Sequence, residues 1–569
     1  MQIMTALNPA RLAVTRRPLL ARTGFSQLQS PAMTVADQVQ LGSSPARATP
    51  TAGATIERAR ELLTARGDAS SSKQIEELIA RALTDPEAER QLIGLLQVLN
   101  ATGQLKPMLH QLVDTAVDAG TVPPMPEARK NELIDQAAGM IDAQFRERGM
   151  TPDTVGVVYK DWDQLSAEHL TAVRSTQAPP RMVGAISSFF HPTFVSELEN
   201  LQGAKFRGGN SVRVLTDGPA SFAERDRLIA GAQSSIHLMS WAFYDDQTGW
   251  DTARKLVEKA RQGVDVKVMV DGQVSVKSHH DAPIRFLEDN GVQVVRWRDP
   301  ERPYDGQHRK MMIVDGREAV VGGINIGDVY SHKYGEVKWR DTDALVSGPA
   351  VTDGSRLFTR LWNEQAVRSG QPILEMPPEP APLSGGVRSA VVDHVPGPKG
   401  DAHILLATMK AIEGATESVD IENAYFINTP GMKDVLLKAL SDGVKVRLLT
   451  NSAESIDEPL ITGPILASLP ELVAAGAEVY LKKGDTLHSK FMTVDGVFSS
   501  VGSHNHHPRS QRFEGEMVIN SLDPALAQSF TQAFEADIAA ATRITSPDQL
   551  AIPESPLGAL AVRYFFDAL

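Results

Sequence analysis

Apolar residues recur at helical spacing early in the chain, at Ile56, Ala59, Leu62 and Leu63, then at Ile75, Leu78, Ile79, Ala82 and Leu83. Asp85-Pro86-Glu87 follows, an N-cap, a first-turn proline and an early carboxylate in a row. This pattern predicts a helical N-terminal domain over 54–180, with packing, partner contact or regulation as its role. Beyond about residue 210 the period shortens to two. Val212-Arg213-Val214-Leu215, Ile236-His237-Leu238-Met239 and Val264 to Val270 read as strands separated by helical stretches, which predicts an α/β sandwich. A Pro-rich stretch at 372–385 interrupts this texture, which then resumes to about 545. The expected organisation is a first lobe at 181–371, a linker at 372–385 and a second lobe at 386–545. Residues 1–53, rich in Ala, Pro, Ser, Thr and Gln without steady period, read as a disordered leader, and 546–569 as a tail.

Composition narrows this picture. The 569 residues exceed one domain, so a site between domains is available. A net charge of −13 argues against a chain that grips nucleic acid along its whole surface. With no cysteine, disulfides and thiolate metal sites are excluded. No apolar run reaches the roughly 18 residues needed to span a bilayer, so any membrane contact is expected to be peripheral. Arginines at 11, 16, 17 and 22 are not followed by the continuous apolar core of a secretory signal. The expected location is cytoplasmic or at a membrane surface, with export left open.

The two lobes repeat one another. Asp305, His308, Lys310, Met312, Val314, Asp315 and Gly316 return 180 residues later as Asp485, His488, Lys490, Met492, Val494, Asp495 and Gly496. The same offset carries Gly322 to Gly502 and Asn325 to Asn505, and upstream it carries Gly263, Val264 and Val266 to Gly443, Val444 and Val446. Packing explains the repeated Val, Met and Gly. It does not call for repeated His, Lys and Asn, which are seldom buried without partners.

His-x-Lys on a strand places imidazole and ammonium on one face. Two lobes facing each other would therefore bring two imidazoles and two ammoniums around one phosphate. Phosphodiester cleavage needs a nucleophile, an acid for the leaving alkoxide and positive or donor groups for the remaining oxygens. His308 and His488 suit the first two roles, because a pKa near 6.5 lets one ring be neutral while the other is protonated. Lys310, Lys490, Asn325 and Asn505 suit the third. A covalent phosphohistidine could be discharged by water or by an alcohol, and no metal or other cofactor is required. Asp315 and Asp495 read as strand-ending residues at Val-Asp-Gly turns, and are kept with the residues expected behind the histidines.

The doubled pattern resembles the HKD signature of the phospholipase D superfamily over about 210–545. Trp339-Arg340-Asp341-Thr342-Asp343, Gly348-Pro349, Phe358 and Trp362 are similar to the segment after the first motif in bacterial cardiolipin synthases, as is Asn505-x(3)-Arg509-Ser510-x(5)-Glu516 to the segment after the second. The resemblance implies two pseudo-symmetric phospholipase D-like α/β/α sandwich lobes. It further implies His308 as nucleophile, His488 as acid and later base, and Asp341 and Glu516 as carboxylates that orient the rings. The chain departs from that family's Asn-x-Asp-x-Arg-Ser, reading Asn505-His506-His507-Pro508-Arg509-Ser510, with Glu514 at the site of a usual asparagine.

Trp241, Tyr244, Tyr425 and Phe426 follow the second strand of each lobe, and Trp241 and Tyr425 are the candidates for substrate walls, against ordinary core packing. His504, His506 and His507 lack the cysteines or carboxylates that would favour a metal. His279-His280 read as an exposed loop with a rim contact as the alternative. The expected activity is that of a phosphodiesterase or phosphatidyltransferase acting on phospholipid at a membrane surface. The competing expectation is a nuclease of the same superfamily.

Overall fold

The computed structural model of the protein describes residues 186–550 except 275–280, 301–304, 379–380, 397–400 and 459–460, together with parts of 75–184. The expected leader, the apolar positions Ile56 to Leu63, Ile79 and Leu83, the pair His279-His280 and the tail beyond 550 lie outside the described residues.

In chain order the first lobe contributes β1 (Arg207–Thr216), β2 (Ser235–Ser240), β3 (Asp265–Asp271), β4 (Gln293–Trp297), β5 (Gly306–Gln307), β6 (Met311–Val314), β7 (Glu318–Gly322) and β8 (Thr342–Ser347). The second contributes β9 (Val387–His394), β10 (Ser418–Asn423), β11 (Lys445–Thr450), β12 (Glu478–Leu481), β13 (Lys490–Val494), β14 (Phe498–Gly502), β15 (Glu514–Leu522) and β16 (Thr542–Ile544). The sheet order is β1-β8-β7-β6-β2-β3-β4 in the first lobe and β9-β15-β14-β13-β10-β11-β12 in the second, with β16 added outside β12. The lobes are joined edge to edge where β1 runs antiparallel to β9, pairing Asn210 with Val387.

The repeated residues have local reasons. Parallel β2 and β3 are linked by the helix Gln247–Arg261, capped by Asp246, whose carboxylate accepts from Gly249 N–H at 2.9 Å. The residues that end this helix and its second-lobe equivalent, Gly263 and Gly443, both sit at φ +89, a backbone that disfavours any side chain. The hairpins β6–β7 and β13–β14 turn through Asp315-Gly316 and Asp495-Gly496, with φ +52 and +62 in one and +52 and +59 in the other.

Apolar layers cover each lobe, and a third cluster ties the lobes together. It combines Met239, Met269, Phe358 and Trp362 with Leu487, Phe491, Phe530 and Phe534, fed by the helices Pro349–Ser369 and Pro524–Ala539. The Pro-rich linker is fastened rather than loose. Trp362 Nε1–H donates to Pro372 O at 2.9 Å, and Asn363 exchanges two hydrogen bonds with the Leu374 backbone at 2.7 and 2.8 Å.

The boundaries drawn from sequence need one correction. Residues 188–201, expected in the first lobe, pack on the second: Phe189 stacks on Phe498 at 5.2 Å, and Phe194, Val195 and Leu198 join its core. Exposing these rings on a helix ahead of β1 would cost more than crossing over to a lobe with room for them. The helix Asp161–Arg174 also lies on the second lobe through Val173 and an Arg174–Glu413 ion pair at 2.8 Å. Pro86–Ala101 and Leu105–Asp118 bury their own cluster around Leu92, Leu95, Leu99 and Leu112. Among the described residues no helix is long and apolar enough to cross a membrane.

Candidate active site

His308 and His488 do not lie within the long strands, as the alternating pattern had suggested, but in extended segments just before β6 and β13. The backbone explains why. His308 N–H donates to Gly515 O at 2.9 Å and His488 N–H to Arg340 O at 2.7 Å, so each segment leaves its own sheet to pair with the other lobe. β5 runs parallel to the start of β15, and Arg340 forms an isolated bridge with Leu487. Each imidazole is thereby delivered to the seam.

The partners cross the seam as well. His308 Nδ1 is 3.0 Å from both carboxylate oxygens of Glu516, and His488 Nδ1 is 2.7 Å from Asp341 Oδ2. With Nδ1–H donating to a carboxylate, the lone pair of the neutral ring lies on Nε2. Glu516 also accepts from Ser503 Oγ at 2.5 Å and Ser510 Oγ at 2.6 Å. Asp341 is admitted by Gly323, where a β-carbon would collide with its carboxylate. All four groups are buried.

Lys310 Nζ donates to His308 O at 2.6 Å, and Lys490 Nζ donates to His488 O in the same way. Burial pushes Lys310 down to about 7 and Lys490 down to about 8. Burial, reinforced by the two lysines, holds both histidines well below the usual imidazole range. Burial likewise raises the carboxyls, Asp341 to about 6. Such a cluster, rich in donors and poor in solvent, favours an anion placed among its cations. Asn325 Nδ2 donates to Tyr330 Oη at 2.9 Å and its Oδ1 accepts from Ala242 N–H at 3.1 Å. Asn505 Oδ1 is buried and has no partner among the described residues.

The aromatic candidates flank the rings. Trp241 meets His308 edge-on at 5.3 Å with Lys310 Nζ 5.5 Å from its centroid, and Tyr425 meets His488 edge-on at 6.3 Å with Lys490 Nζ at 5.8 Å. Tyr244 and Phe426 are packing neighbours of Tyr330 and His506. Asp315 and Asp495 occupy the turns that their Val-Asp-Gly context marks, and it is their place among the residues behind the histidines that is corrected. They do not stand behind the histidines; their carboxylates tie the turn to the loop before β2 or β10, Asp315 through Gln233, Ser234 and Ser235 N–H and Asp495 through Thr416, Glu417 and Ser418 N–H. Two such bundles of amide donors are a reason to keep an aspartate at a turn.

The sequence did not single out Tyr330 or Ser503. Tyr330, 5.1 Å from the His488 ring, is placed by the four-residue helix Asp328–Ser331 just after Asn325. Ser503 stands beside Gly502 where the first lobe has a second glycine, and that difference was the available signal. His308 Nδ1 and one oxygen each of Glu514 and Glu516 lie within 4.8 Å of one another, a spacing that invites a cation. Arg509 already engages Glu514 at 2.5 Å, and two serines and His308 engage Glu516, so these oxygens are satisfied by the protein itself.

Two copies of one α/β lobe, each lending a buried imidazole to a carboxylate of the other, define a phospholipase D-type enzyme. The family described as cardiolipin synthase, phospholipase D-like domain, matches residues 226–362 and 408–538, one match in each lobe. Cardiolipin synthase 2 of Staphylococcus epidermidis is 30% identical over 352 residues, spanning 60% of this chain and 70% of that protein. The major cardiolipin synthase of Bacillus subtilis is 29% identical over 375 residues, spanning 62% and 73%. A crystal structure of a phosphatidylserine synthase from Haemophilus influenzae shares the fold with a TM-score of 0.52 at 15% identity, covering 63% of this chain and 93% of that one. The chain belongs to the phospholipase D-like cardiolipin synthase family.

Proposed function

We propose that the protein transfers the phosphatidyl group of a glycerophospholipid to an alcohol or to water through a phosphohistidine. The observation that carries this reading is the crossed pairing of His308 with Glu516 and of His488 with Asp341, which places the lone pair of each neutral ring on Nε2, with Lys310 and Lys490 bonded to the backbone of the same two histidines. His308 Nε2 attacks phosphorus and the bond to the headgroup oxygen breaks. His488 supplies the proton to that leaving oxygen. An incoming O–H then gives its proton to His488 as its oxygen displaces the His308 nitrogen. Lys310, Lys490, Asn325 and Asn505 bind the phosphoryl oxygens, and Trp241 and Tyr425 wall the headgroup. The bound phosphate brings the negative charge that allows one of two otherwise neutral imidazoles to carry a proton. The relatives' names support a phospholipid substrate, met at a membrane surface.

The test offers phosphatidylglycerol and phosphatidylcholine vesicles, with and without a primary alcohol, to the chain and to a His308→Ala, His488→Ala variant, in EDTA and beside single-stranded and duplex DNA. Phosphatidic acid, cardiolipin or a phosphatidyl-alcohol made by the intact chain alone is expected. Cleavage of DNA with lipid untouched would replace the reading with a nuclease.

A further inference from the structure

The loop after Asn505 carries a group that the cleavage chemistry leaves unused. His507 is the N-cap of the five-residue helix Pro508–Arg512, and its Nδ1 accepts from Ser510 N–H at 3.1 Å. An aspartate would cap equally well through a carboxylate oxygen. The imidazole reaches further and has a second nitrogen. Because Nδ1 accepts, the proton of the neutral ring is on Nε2, and burial keeps the ring neutral by pushing its pKa down to about 4. The side chain is buried at 1% exposure, yet Nε2–H has no partner among the described residues. Buried polar groups in folded proteins are normally satisfied, so an exception at a reaction centre points to a ligand.

Its neighbours say which ligand. The His507 ring lies 6.0 Å from that of Tyr425, and Tyr425 in turn faces His488 at 6.3 Å and Lys490 at 5.8 Å. His507 also lies close enough to Glu514, Glu516 and His308 to feel their charges, so it stands between the two imidazoles, where an entering oxygen meets the phosphorus on His308 and passes its proton to His488. We propose that His507 is a specificity-determining residue whose Nε2–H donates a hydrogen bond to the oxygen of the alcohol that discharges the phosphohistidine, favouring transfer over hydrolysis. This rests on the phosphatidyl-transfer reading. Accepting from His507 uses one lone pair of the alcohol and leaves its O–H for His488. As the oxygen bonds to phosphorus, the phosphorus–nitrogen bond to His308 breaks and the proton passes to His488. The Tyr425 face meets the alcohol's carbon atoms and seats its oxygen at Nε2–H, whereas water makes no such contact and is not held there, so the hydrogen bond counts for the alcohol alone.

His507→Asn and His507→Asp both keep a capping oxygen and lose the far N–H, so the loop retains its fold. The full chain and each variant are incubated with phosphatidylglycerol vesicles and ethanol, and the ratio of phosphatidylethanol to phosphatidic acid is read by mass spectrometry. The ratio does not depend on how much enzyme is active. It is expected to fall roughly three- to tenfold in both variants, the worth of one neutral hydrogen bond. A ratio equal to that of the unaltered chain overturns the proposal, as does loss of all product from both variants, since discharge is the only step assigned to His507. If the unaltered chain makes neither product, the phosphatidyl-transfer reading itself fails, an outcome distinct from an unchanged ratio.

Discussion

Around His308 the surroundings are rich in carboxylate, and around His488 they are aromatic. Glu516 sits at 3.0 Å and Glu514 at 3.9 Å from His308 Nδ1, with Trp241 the neighbouring ring. Among the described residues His488 has a single carboxylate, Asp341, and three rings within reach: Tyr330 at 5.1 Å, Trp339 at 5.6 Å and Tyr425 at 6.3 Å. Two lobes that share strand order, turns and the His-x-Lys pair thus present two different environments. Symmetry builds the site, and departures from it separate the roles. Under the proposed mechanism, a second carboxylate would stabilise positive character on the His308 nitrogen as its bond to phosphorus forms. Under the same proposal, the aromatic rings would keep competing water from His488, the ring assigned to hold and release a proton.

That comparison is open to direct tests. The largest effect is expected from His308→Ala and His488→Ala, each lowering turnover by about 10⁴-fold or more. With a substrate whose leaving group needs no proton, His488→Ala should accumulate the phosphatidyl group on His308; peptide mapping that finds that group on His488 of the His308→Ala variant instead would exchange the two roles. Next in size are Asp341→Asn and Glu516→Gln, each expected to cost roughly 10²–10⁴-fold by releasing a ring from its productive tautomer. The activated substrate should restore much of the loss in the Asp341 variant and little in the Glu516 variant, and equal rescue would erase the distinction between the halves.

A smaller effect is expected from Glu514→Gln. Arg509 and His308 hold Glu514 ionised, its pKa kept down despite burial. Removing that charge lowers the pKa of His308, so the limb of kcat/KM on which the nucleophile becomes protonated should move to lower pH, by about one unit or less. A limb that stays in place would mean that Glu514 serves Arg509 alone. The smallest effect concerns stability. Burial pushes His506 down to about 4 from 6.5, so the unfolded chain gains a proton that the folded one refuses. Stability from this group is present above pH 6.5 and is lost as pH falls toward 4. His506→Asn should therefore show a smaller drop in Tm over that interval than the unaltered chain, and parallel Tm curves would discard the assignment.

Much of this architecture is written locally. Alternation at Val212–Leu215 and Val264–Val270 marks β1 and β3, and Asp315-Gly316 and Asp495-Gly496 mark two hairpins. The repeat of His, Lys and Asn at one offset announced a doubled site, because packing alone gives no reason to repeat polar residues. Asp341 and Glu516 were legible through resemblance. The placement of residues 188–201 on the second lobe was not, since a helix with an apolar stripe does not state which of two similar cores will receive it. Nor was the end of the strand before His308, whose N–H is claimed by Gly515 across the seam.

The sequence by itself determined the elements, the duplication and the chemical types of the groups at the site, because periodicity, turn residues and side-chain chemistry are properties of short stretches. Only the tertiary structure decided that each histidine takes its carboxylate from the opposite lobe, that the Asp315 and Asp495 carboxylates bind the loops before β2 and β10, and that His507 Nε2 has no partner among the described residues. The crossed pairing goes with the edge-to-edge joining of β1 and β9, which brings together residues distant along the chain, and the other two facts depend on contacts between separate segments of one lobe.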